Sequence, residues 1–215
     1  MIPTTFAIDP ADPPAETIAK AAAAIRAGRL VVYPTRCLYG LGTDALNPEA
    51  VEGLFRIKQR PPDKPVSVLV QDAADLKRLV TAVPQAARVL MERFWPGWLT
   101  LVFAARPAVP TVLTAGTGKI GVRLPGHPVA AALVKAAARP ITATSANLSG
   151  AKSPAMIADI DPSVIAAADV ALDAGTLGGG TGSTIVDVTV VPVRVLREGI
   201  VNAAQVMAAL AQDRH

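Results

Sequence analysis

Residues 140–150, Pro140-Ile141-Thr142-Ala143-Thr144-Ser145-Ala146-Asn147-Leu148-Ser149-Gly150, join a short β-prone run to a polar turn. Hydroxyl and amide side chains therefore fall where a predicted strand ends, which is where ligands gather in α/β folds. Ser145 and Asn147 are two residues apart, so extended backbone points both side chains to the same side. Their short neutral groups suit phosphate oxygens or a ribose. Taken alone, the stretch is more typical of a capped polar turn with a glycine at positive φ, and only its companions in the chain favour a binding site.

Composition predicts a compact globular protein. The chain has 215 residues, of which 51% are hydrophobic and 18% charged, enough for one large domain with a substantial core. The net charge of +4 permits binding of a nucleotide or an RNA without demanding either. A single cysteine, Cys37, excludes an intramolecular disulfide and favours a reducing compartment. With neither a secretory signal in residues 1–14 nor an apolar run long enough to span a bilayer, we expect one soluble cytoplasmic domain over residues 1–215.

Helix-forming and β-prone segments alternate along the chain, which is typical of an α/β fold. Helices are predicted over about 15–27, 47–58, 84–94, 127–138, 161–168 and 202–212, with a short one after Asp72. Strands are predicted over 30–33, 66–70, 98–103, 119–124, 140–144, 170–173, 184–188 and 193–196. Residues 34–42 and 175–182 are predicted to be loops, because they are polar and rich in glycine.

Two glycine patterns lack the context of nucleotide-binding motifs. Residues 116–121 match G-x-G-x-x-G, but a predicted strand follows them instead of a helix, so a turn is expected. Residues 175–183 have glycines at the Walker spacing, yet Thr181 stands where the lysine belongs.

The sequence offers little support for catalysis or metal binding by histidine. The only two histidines are His127 and His215, so neither Cys37 nor a serine has a credible imidazole partner. A two-histidine metal site is improbable for the same reason, and no metal ligands of the protein are expected. Any chemistry is expected to depend on cations, hydroxyls and amides, with Mg²⁺ as a candidate companion ion.

Four cations, Arg56, Lys58, Arg60 and Lys64, fall within nine residues. The helix macrodipole explains a cation at the position of Arg56. Lys58 and Arg60 lie on either side of the helix exit, which Pro61-Pro62 stiffens, so both can converge on one anion. Polyphosphate is the natural choice, since a cation about 4 Å from a phosphate oxygen gains roughly 4 kcal/mol near the surface before desolvation.

Two further arginines have alternative explanations. Arg123 ends a predicted strand and is suited to a bidentate grip on a carboxylate or phosphate, although arginines at strand ends are often simply on the surface. Arg197 is followed by Glu198, so a ligand contact and an ordinary ion pair both fit the sequence.

Seven motifs in this order make the chain resemble the YrdC-like threonylcarbamoyl-AMP synthase family over about residues 15–201. They are Pro34-Thr35 with Tyr39-Gly40-Leu41-Gly42, Lys58-x-Arg60-Pro61 with Lys64-Pro65, Trp95-Pro96-Gly97 with Leu99-Thr100, Val122-Arg123-Leu124-Pro125, Ser145-Ala146-Asn147-Leu148-Ser149-Gly150, Ser183-Thr184-Ile185-Val186-Asp187 and Arg197-Glu198-Gly199. The resemblance implies an α/β fold with a twisted, open mixed sheet flanked by helices around a deep basic cavity. It also implies a nucleotidyltransferase that condenses L-threonine, bicarbonate and ATP to threonylcarbamoyl-AMP and pyrophosphate, for the threonylcarbamoyladenosine modification of tRNA.

The same resemblance implies roles for particular residues. The catalytic residues would be Lys58 and Arg60. The nucleotide-binding residues would be Lys58, Arg60, Ser145, Asn147, Ser183 and Arg197. Thr35 and Arg123 would hold threonine, and Mg²⁺ would bridge the phosphates of ATP. Trp95 and Trp98 are expected in the core or the cavity wall, and the product would pass to tRNA threonylcarbamoyl transferase machinery.

The chain departs from the family pattern at one place. The family usually has Pro-Thr-Asp/Glu-Thr-Val-Tyr-Gly, whereas Arg36-Cys37-Leu38 occupies the central three positions here. A base in place of an acid either changes substrate preference or points to solvent. The extra carboxy-terminal domain of longer members is expected to be absent.

Two alternatives remain open from the sequence. One is a non-catalytic protein that binds double-stranded RNA or tRNA in the same basic cavity, ranked lower because aromatic residues do not interleave with a basic surface. The other is a paralogue with weak or altered activity.

Overall fold

A computed structural model describes residues 3–212, in which ten strands form one mixed sheet. The strands are β1 Thr4–Ala7, β2 Val31–Pro34, β3 Tyr39–Gly42, β4 Ser67–Leu69, β5 Leu99–Ala104, β6 Lys119–Arg123, β7 Ile141–Ser145, β8 Val170–Asp173, β9 Thr184–Asp187 and β10 Arg194–Arg197. Their spatial order is β1-β8-β2-β3-β7-β4-β6-β5-β9-β10. The two ends of this order do not meet, so the predicted open mixed sheet is confirmed.

Helices cover both faces of the sheet. They are α1 Ala15–Arg26, α2 Pro48–Ile57, α3 Leu76–Leu79, α4 Gln85–Phe94, α5 Thr111–Thr114, α6 Pro128–Ala137, α7 Pro162–Ala166 and α8 Ala203–Gln212, with short 3₁₀ turns at Ala73–Asp75 and Ile157–Asp159. Helices α1 and α6 pack on the face that carries Val31, Leu69 and Ile141. Helices α2, α4 and α8 pack on the opposite face, which carries Val32 and Val68. Within residues 3–212, none of the helices has the length and apolar character that crossing a bilayer requires.

The loop prediction for residues 34–42 is wrong in its second half. Residues 39–42 form β3, which pairs with β2 on one side and β7 on the other. Its glycines are required by the ring of Tyr33, because a Cβ at Gly40 or Gly42 would lie 2.9 or 2.7 Å from that ring. Glycine here marks a close approach of a side chain to a strand, so the same residues that suggested a loop belong to the sheet.

Strand β1 was not predicted either. Its residues Thr4–Ala7 pair in parallel with β8 at the edge of the sheet. Most of them are exposed, so they lack the alternation of apolar residues by which a strand is found in a sequence.

The end of α2 brings the chain toward the ligand-binding candidates. Asn47 caps the helix by accepting a hydrogen bond from the Ala50 amide, as its sequence context predicts. At the other end Lys58 is the C-cap, and Gln59 adopts the left-handed conformation with φ of 48°. The sharp change of direction between Lys58 and Arg60 is therefore present, and it is fixed by the backbone.

Candidate active site

Strand register gathers small and polar side chains on the face that α1 and α6 cover only in part. Tyr33 pairs with Gly40, and Gly40 pairs with Ser145, so all three point to this face. Ser67 lies on the same face, since a Cβ at Gly121 would come within 2.5 Å of its Oγ. The glycines of this face are small because the Tyr33 ring lies against Gly40 and the Ser67 side chain lies against Gly121.

The other half of the sheet continues this face. Arg123 follows Gly121 by two residues in β6, and Thr100 lies on the neighbouring strand β5. The Thr100 hydroxyl is 2.8 Å from the Ser183 hydroxyl, just before β9 begins. Ser145, Arg123 and Ser183, predicted site residues from three separate motifs, therefore lie on one side of the sheet.

Lys58, Arg60, Ser145 and Asn147 form the first part of the site, here called the lysine half. The Lys58 Nζ donates hydrogen bonds to the carbonyl oxygens of Ser145 and Asn147, each at 2.5 Å. The side chain is 1% exposed. Burial, and to a smaller extent the nearby charge of Arg60, lower the pKa of Lys58 to about 8.

The loop that Lys58 supports is also locked by its own side chains. The Ser145 hydroxyl donates to Oδ1 of Asn147, which confirms that the two side chains lie on the same side. The Asn147 amide in turn donates to the Ala151 carbonyl at 2.6 Å. The polar groups of this loop therefore hold a fixed geometry before any ligand arrives.

Arg60 is anchored in a similar way. Its guanidinium donates to the carbonyls of Lys64 at 2.9 Å and of Pro65 at 2.8 Å, directly before β4. Burial lowers its pKa from the usual arginine value. The lysine half thus brings together the four residues predicted to bind phosphate and ribose. Most of their side-chain hydrogen bonds are made to backbone carbonyls.

Thr35, Arg36, Arg123, Ser183 and Arg197 form the second part, here called the arginine half. All but Arg197 line one pocket. The Nε atom of Arg123 is buried and has no hydrogen-bond acceptor among the described residues. Burial lowers the pKa of Arg123, and the positive charge of Arg197 acts in the same direction. A buried arginine without an acceptor for its Nε favours the binding of an anion.

Arg197 belongs to this half through the backbone. Its guanidinium donates to the Ser183 carbonyl at 2.8 Å. The carboxylate of Glu198 instead accepts a hydrogen bond from the Ala203 amide at the start of α8, at 2.8 Å. The alternative that Arg197 simply pairs with its neighbour is therefore wrong, because that neighbour stabilises the helix.

Arg36 lies at the rim of the pocket. Its guanidinium carbon is 4.2 Å from the ring centroid of Trp98, which also lines the pocket. Thr35 donates its hydroxyl hydrogen bond to the Leu38 carbonyl at 2.6 Å and so shapes the turn that carries Arg36. Trp98 is in the pocket wall and Trp95 packs against the core, as predicted.

Residues 23–199 match the family model for Sua5, YciO and YrdC, which is described as "Telomere recombination". The chain belongs to the Sua5/YciO/YrdC family. It is 39% identical over 179 residues to threonylcarbamoyl-AMP synthase of Pyrococcus abyssi, an alignment covering 83% of this chain and 53% of that protein. It is 38% identical over 195 residues to the Bacillus subtilis protein of the same name, covering 90% of this chain and 56% of the other. The chain thus spans about half the length of these relatives.

A solved structure of the Sua5/YciO/YrdC family shares the fold. The crystal structure of P. abyssi Sua5 complexed with L-threonine superposes with a TM-score of 0.88 at 34% sequence identity. The alignment covers 98% of this chain and 61% of that one. The open mixed sheet and its helices are therefore those of the Sua5 fold.

Two residues of this Sua5-like site were missed by the sequence analysis. Tyr33 forms the floor beside Gly40 and donates its hydroxyl hydrogen bond to the Thr142 carbonyl at 3.0 Å. Thr100 bonds to Ser183. The signal for Thr100 was a polar residue between two buried leucines, Leu99 and Leu101, which predicts a side chain on the open face of a strand.

Some predictions about the site stay untested. A deep basic cavity for a whole nucleotide is one of them, since the pocket described above is limited to the arginine half. Within residues 3–212, no group of three or more His, Cys, Asp or Glu residues is placed to hold a metal ion. His215 lies outside the described residues, and the roles of the individual site residues also stay predictions.

Proposed function

We propose that the chain condenses L-threonine, bicarbonate and ATP to threonylcarbamoyl-AMP and pyrophosphate. The observation that carries this proposal is Arg123, a buried cation whose Nε has no acceptor among the described residues. It lies in a chain that shares its fold with a Sua5 structure complexed with L-threonine. An amino acid offers the carboxylate that this arginine lacks.

In the proposed reaction, the arginine half binds threonine. Arg123 pairs with the carboxylate, and Thr35 at the same pocket contributes a hydroxyl. The neutral amine of threonine attacks the carbon of bicarbonate. A carbamate and water result, the water carrying the proton that the amine loses.

The lysine half then binds the triphosphate. A carbamate oxygen attacks the α-phosphorus of ATP in line, the bond to the β-phosphate oxygen breaks, and pyrophosphate leaves. Such a transfer depends on positioning and neutralisation of charge more than on a protein nucleophile. Lys58 has one ammonium N–H left after its two carbonyl contacts, and the side-chain amide of Asn147 has one N–H left after its contact with Ala151. Ser183 and Arg197 face the nucleotide from the other side.

Mg²⁺ enters this proposal with ATP as part of the substrate. The acidic residues in the described part of the chain do not cluster into a site for it. Phosphate oxygens and water would therefore supply most of its ligands.

The product would serve tRNA threonylcarbamoyladenosine formation, through transferase machinery and in the cytoplasm. Direct binding of tRNA or double-stranded RNA was the competing hypothesis. It is not favoured, because the curated relatives quoted above carry the name of the synthase.

Pyrophosphate release by the purified chain tests the proposal. Release should require threonine and bicarbonate together with Mg²⁺ and ATP, and omission of either should reduce it to the background. Turnover of ATP that is indifferent to threonine would overturn the proposed function. A matched reaction with L-valine, which lacks the threonine hydroxyl, would report how far that hydroxyl is recognised.

A further inference from the structure

The side chain of Arg36 lies in a slot between Gly97 and Gly126. Its Cδ lies 3.2 Å from the position that a Cβ would take on either Gly97 or Gly126. The two glycines also contact each other closely, since a Cβ at Gly126 would lie 2.8 Å from the Gly97 Cα. A Cβ at either position would be in tight contact with the arginine side chain, so the two glycines leave room for it.

The guanidinium at the end of this slot is stacked but unpaired. Its guanidinium carbon lies over the Trp98 ring, a cation–π contact that uses none of its N–H groups. In the part of the chain that the structure describes, the ion pairs involve other cations, namely Lys20, Arg29, Lys119 and Arg139. None of the hydrogen bonds among residues 3–212 uses the Arg36 side chain either. A stacked guanidinium with a free edge suits a planar carboxylate.

The surrounding pocket has a strong excess of positive charge. Arg36 and Arg123 both line it, and no acidic residue is among the described residues that do so. Each of the two guanidinium groups can bind one carboxylate, and a ligand with a single negative charge compensates only one of them. The pocket is therefore complementary to a small dianion.

We propose that Arg36 and Arg123 together bind the two carboxylates of an N-carboxylated amino acid. This inference rests on the proposed function, in which threonine and bicarbonate form such a carbamate. Arg123 holds the α-carboxylate at the floor, and Arg36 holds the new carboxylate at the rim. Arg36 is thus a specificity-determining residue, which selects the carboxylated amino acid over the free one.

A stable probe exists for this geometry. In N-carboxyglycine, the parent of such carbamates, one nitrogen and one carbon separate the two carboxylates. Succinate replaces them with two carbons and keeps both charges. Butyrate has the same chain length but one carboxylate. Calorimetric titration of the purified chain with each compound, without ATP, isolates the second charge.

Wild-type protein should bind succinate at least about tenfold more tightly than butyrate, as expected for an added charge-assisted bidentate contact. Arg36→Gln should bring the two affinities to within about threefold of each other by removing that contact. Arg88→Gln, on the exposed surface of α4, removes the same charge and should keep the wild-type preference. Arg36→Lys keeps the charge but not the planar fork, so it should give an intermediate ratio.

Equal affinity of the wild type for succinate and butyrate would overturn this inference, and so would an unchanged preference in Arg36→Gln. Thermal unfolding of Arg36→Gln should stay close to that of the wild type, because the side chain makes no hydrogen bond and its cation–π contact with Trp98 is weak. If this variant does not fold, the ratio in Arg36→Lys decides instead. Pyrophosphate release by the wild type, measured in parallel, tests the proposed function separately, since succinate binding does not depend on turnover.

Discussion

The two halves of the candidate active site are built in opposite ways. In the lysine half, Lys58 and Arg60 donate to backbone carbonyls, and the side chains of Ser145 and Asn147 bond to each other. In the arginine half, Arg123 has a buried Nε without an acceptor. The first half already holds its geometry, whereas the second has hydrogen bonds left for a ligand to complete. A positively charged side chain near a site therefore does not always have N–H groups free to bind a ligand.

The largest effect should come from Lys58→Met, which keeps a similar length but removes the charge. Two carbonyls lose their donor, and the charge is lost beside the phosphates. Pyrophosphate release should fall by about 10² to 10³-fold, the usual range for one electrostatic contact in a transition state. The melting temperature should also fall, since each buried carbonyl left without a partner costs about 1–3 kcal/mol.

The matched control is Arg56→Met, two residues earlier on the exposed surface of α2. It removes one charge without removing a carbonyl partner, so melting and turnover should stay near wild type. If Lys58→Met melts like the wild type, the lysine half is not held together as described.

The arginine half should behave in the reverse manner. Arg123→Gln should raise the KM for threonine about tenfold to hundredfold, as expected for loss of a charged hydrogen bond of about 1.5–3 kcal/mol. Its melting temperature should stay level or rise, because a buried cation with an unpaired Nε is removed.

Steady-state kinetics and a thermal melt of the same preparation check this expectation, with Arg194→Gln on β10 as an exposed control. A large loss of stability in Arg123→Gln would give the arginine a structural role and remove the contrast between the halves.

The lysine half should also respond to pH. Because the pKa of Lys58 is lowered to about 8, kcat/KM for ATP should decline above that pH, by about tenfold per unit as the ammonium is lost. Lys58→Arg should shift the decline to higher pH. A wild-type profile that stays flat up to pH 9.5 would contradict a role for the charged lysine.

Fold stability should change in the other direction over this range. The folded pKa lies below the ordinary lysine value of 10.5, so between about pH 8 and 10.5 the unfolded chain binds more protons. The contribution of Lys58 to stability should therefore increase with pH in that window. The difference in unfolding free energy between wild type and Lys58→Met, followed by urea unfolding, measures it.

The smallest effect is expected at the rim. Trp98→Leu removes the ring under Arg36 and should weaken succinate binding about twofold to fivefold, since a cation–π contact at an exposed site contributes about 0.5–1 kcal/mol. Butyrate binding should change less than succinate binding. Equal losses for both ligands would indicate that Trp98 shapes the pocket without supporting Arg36.

Much of the fold followed from local patterns. Alternating apolar residues and helix caps gave the α/β class and most elements, and Asp72 and Asn47 cap the turns that they were expected to cap. These patterns did not predict the strand at residues 39–42, because its two glycines are required by the ring of Tyr33, which packs across them. No local pattern in the chain shows which ring a glycine must accommodate.

In the candidate site too, local features could be predicted from the sequence and long-range contacts could not. Its residue types and their order could be predicted, because each motif is a short local segment with its own turn or strand end. The hydrogen-bond partners of each cation could not be predicted. Lys58 finds its acceptors 87 and 89 residues away, and this pairing exists only where β7 passes the end of α2.

The sequence by itself determined which groups could bind an anion, since charge and hydrogen-bonding capacity belong to the side chain. Only the tertiary structure decided which of those groups remain free to bind one. Backbone carbonyls accept from two N–H groups of Lys58 and two of Arg60, whereas the guanidinium of Arg36 and the Nε of Arg123 have no hydrogen-bond partner among the described residues. The physical reason is that a hydrogen bond needs two groups in contact, and long-range packing brings the second one.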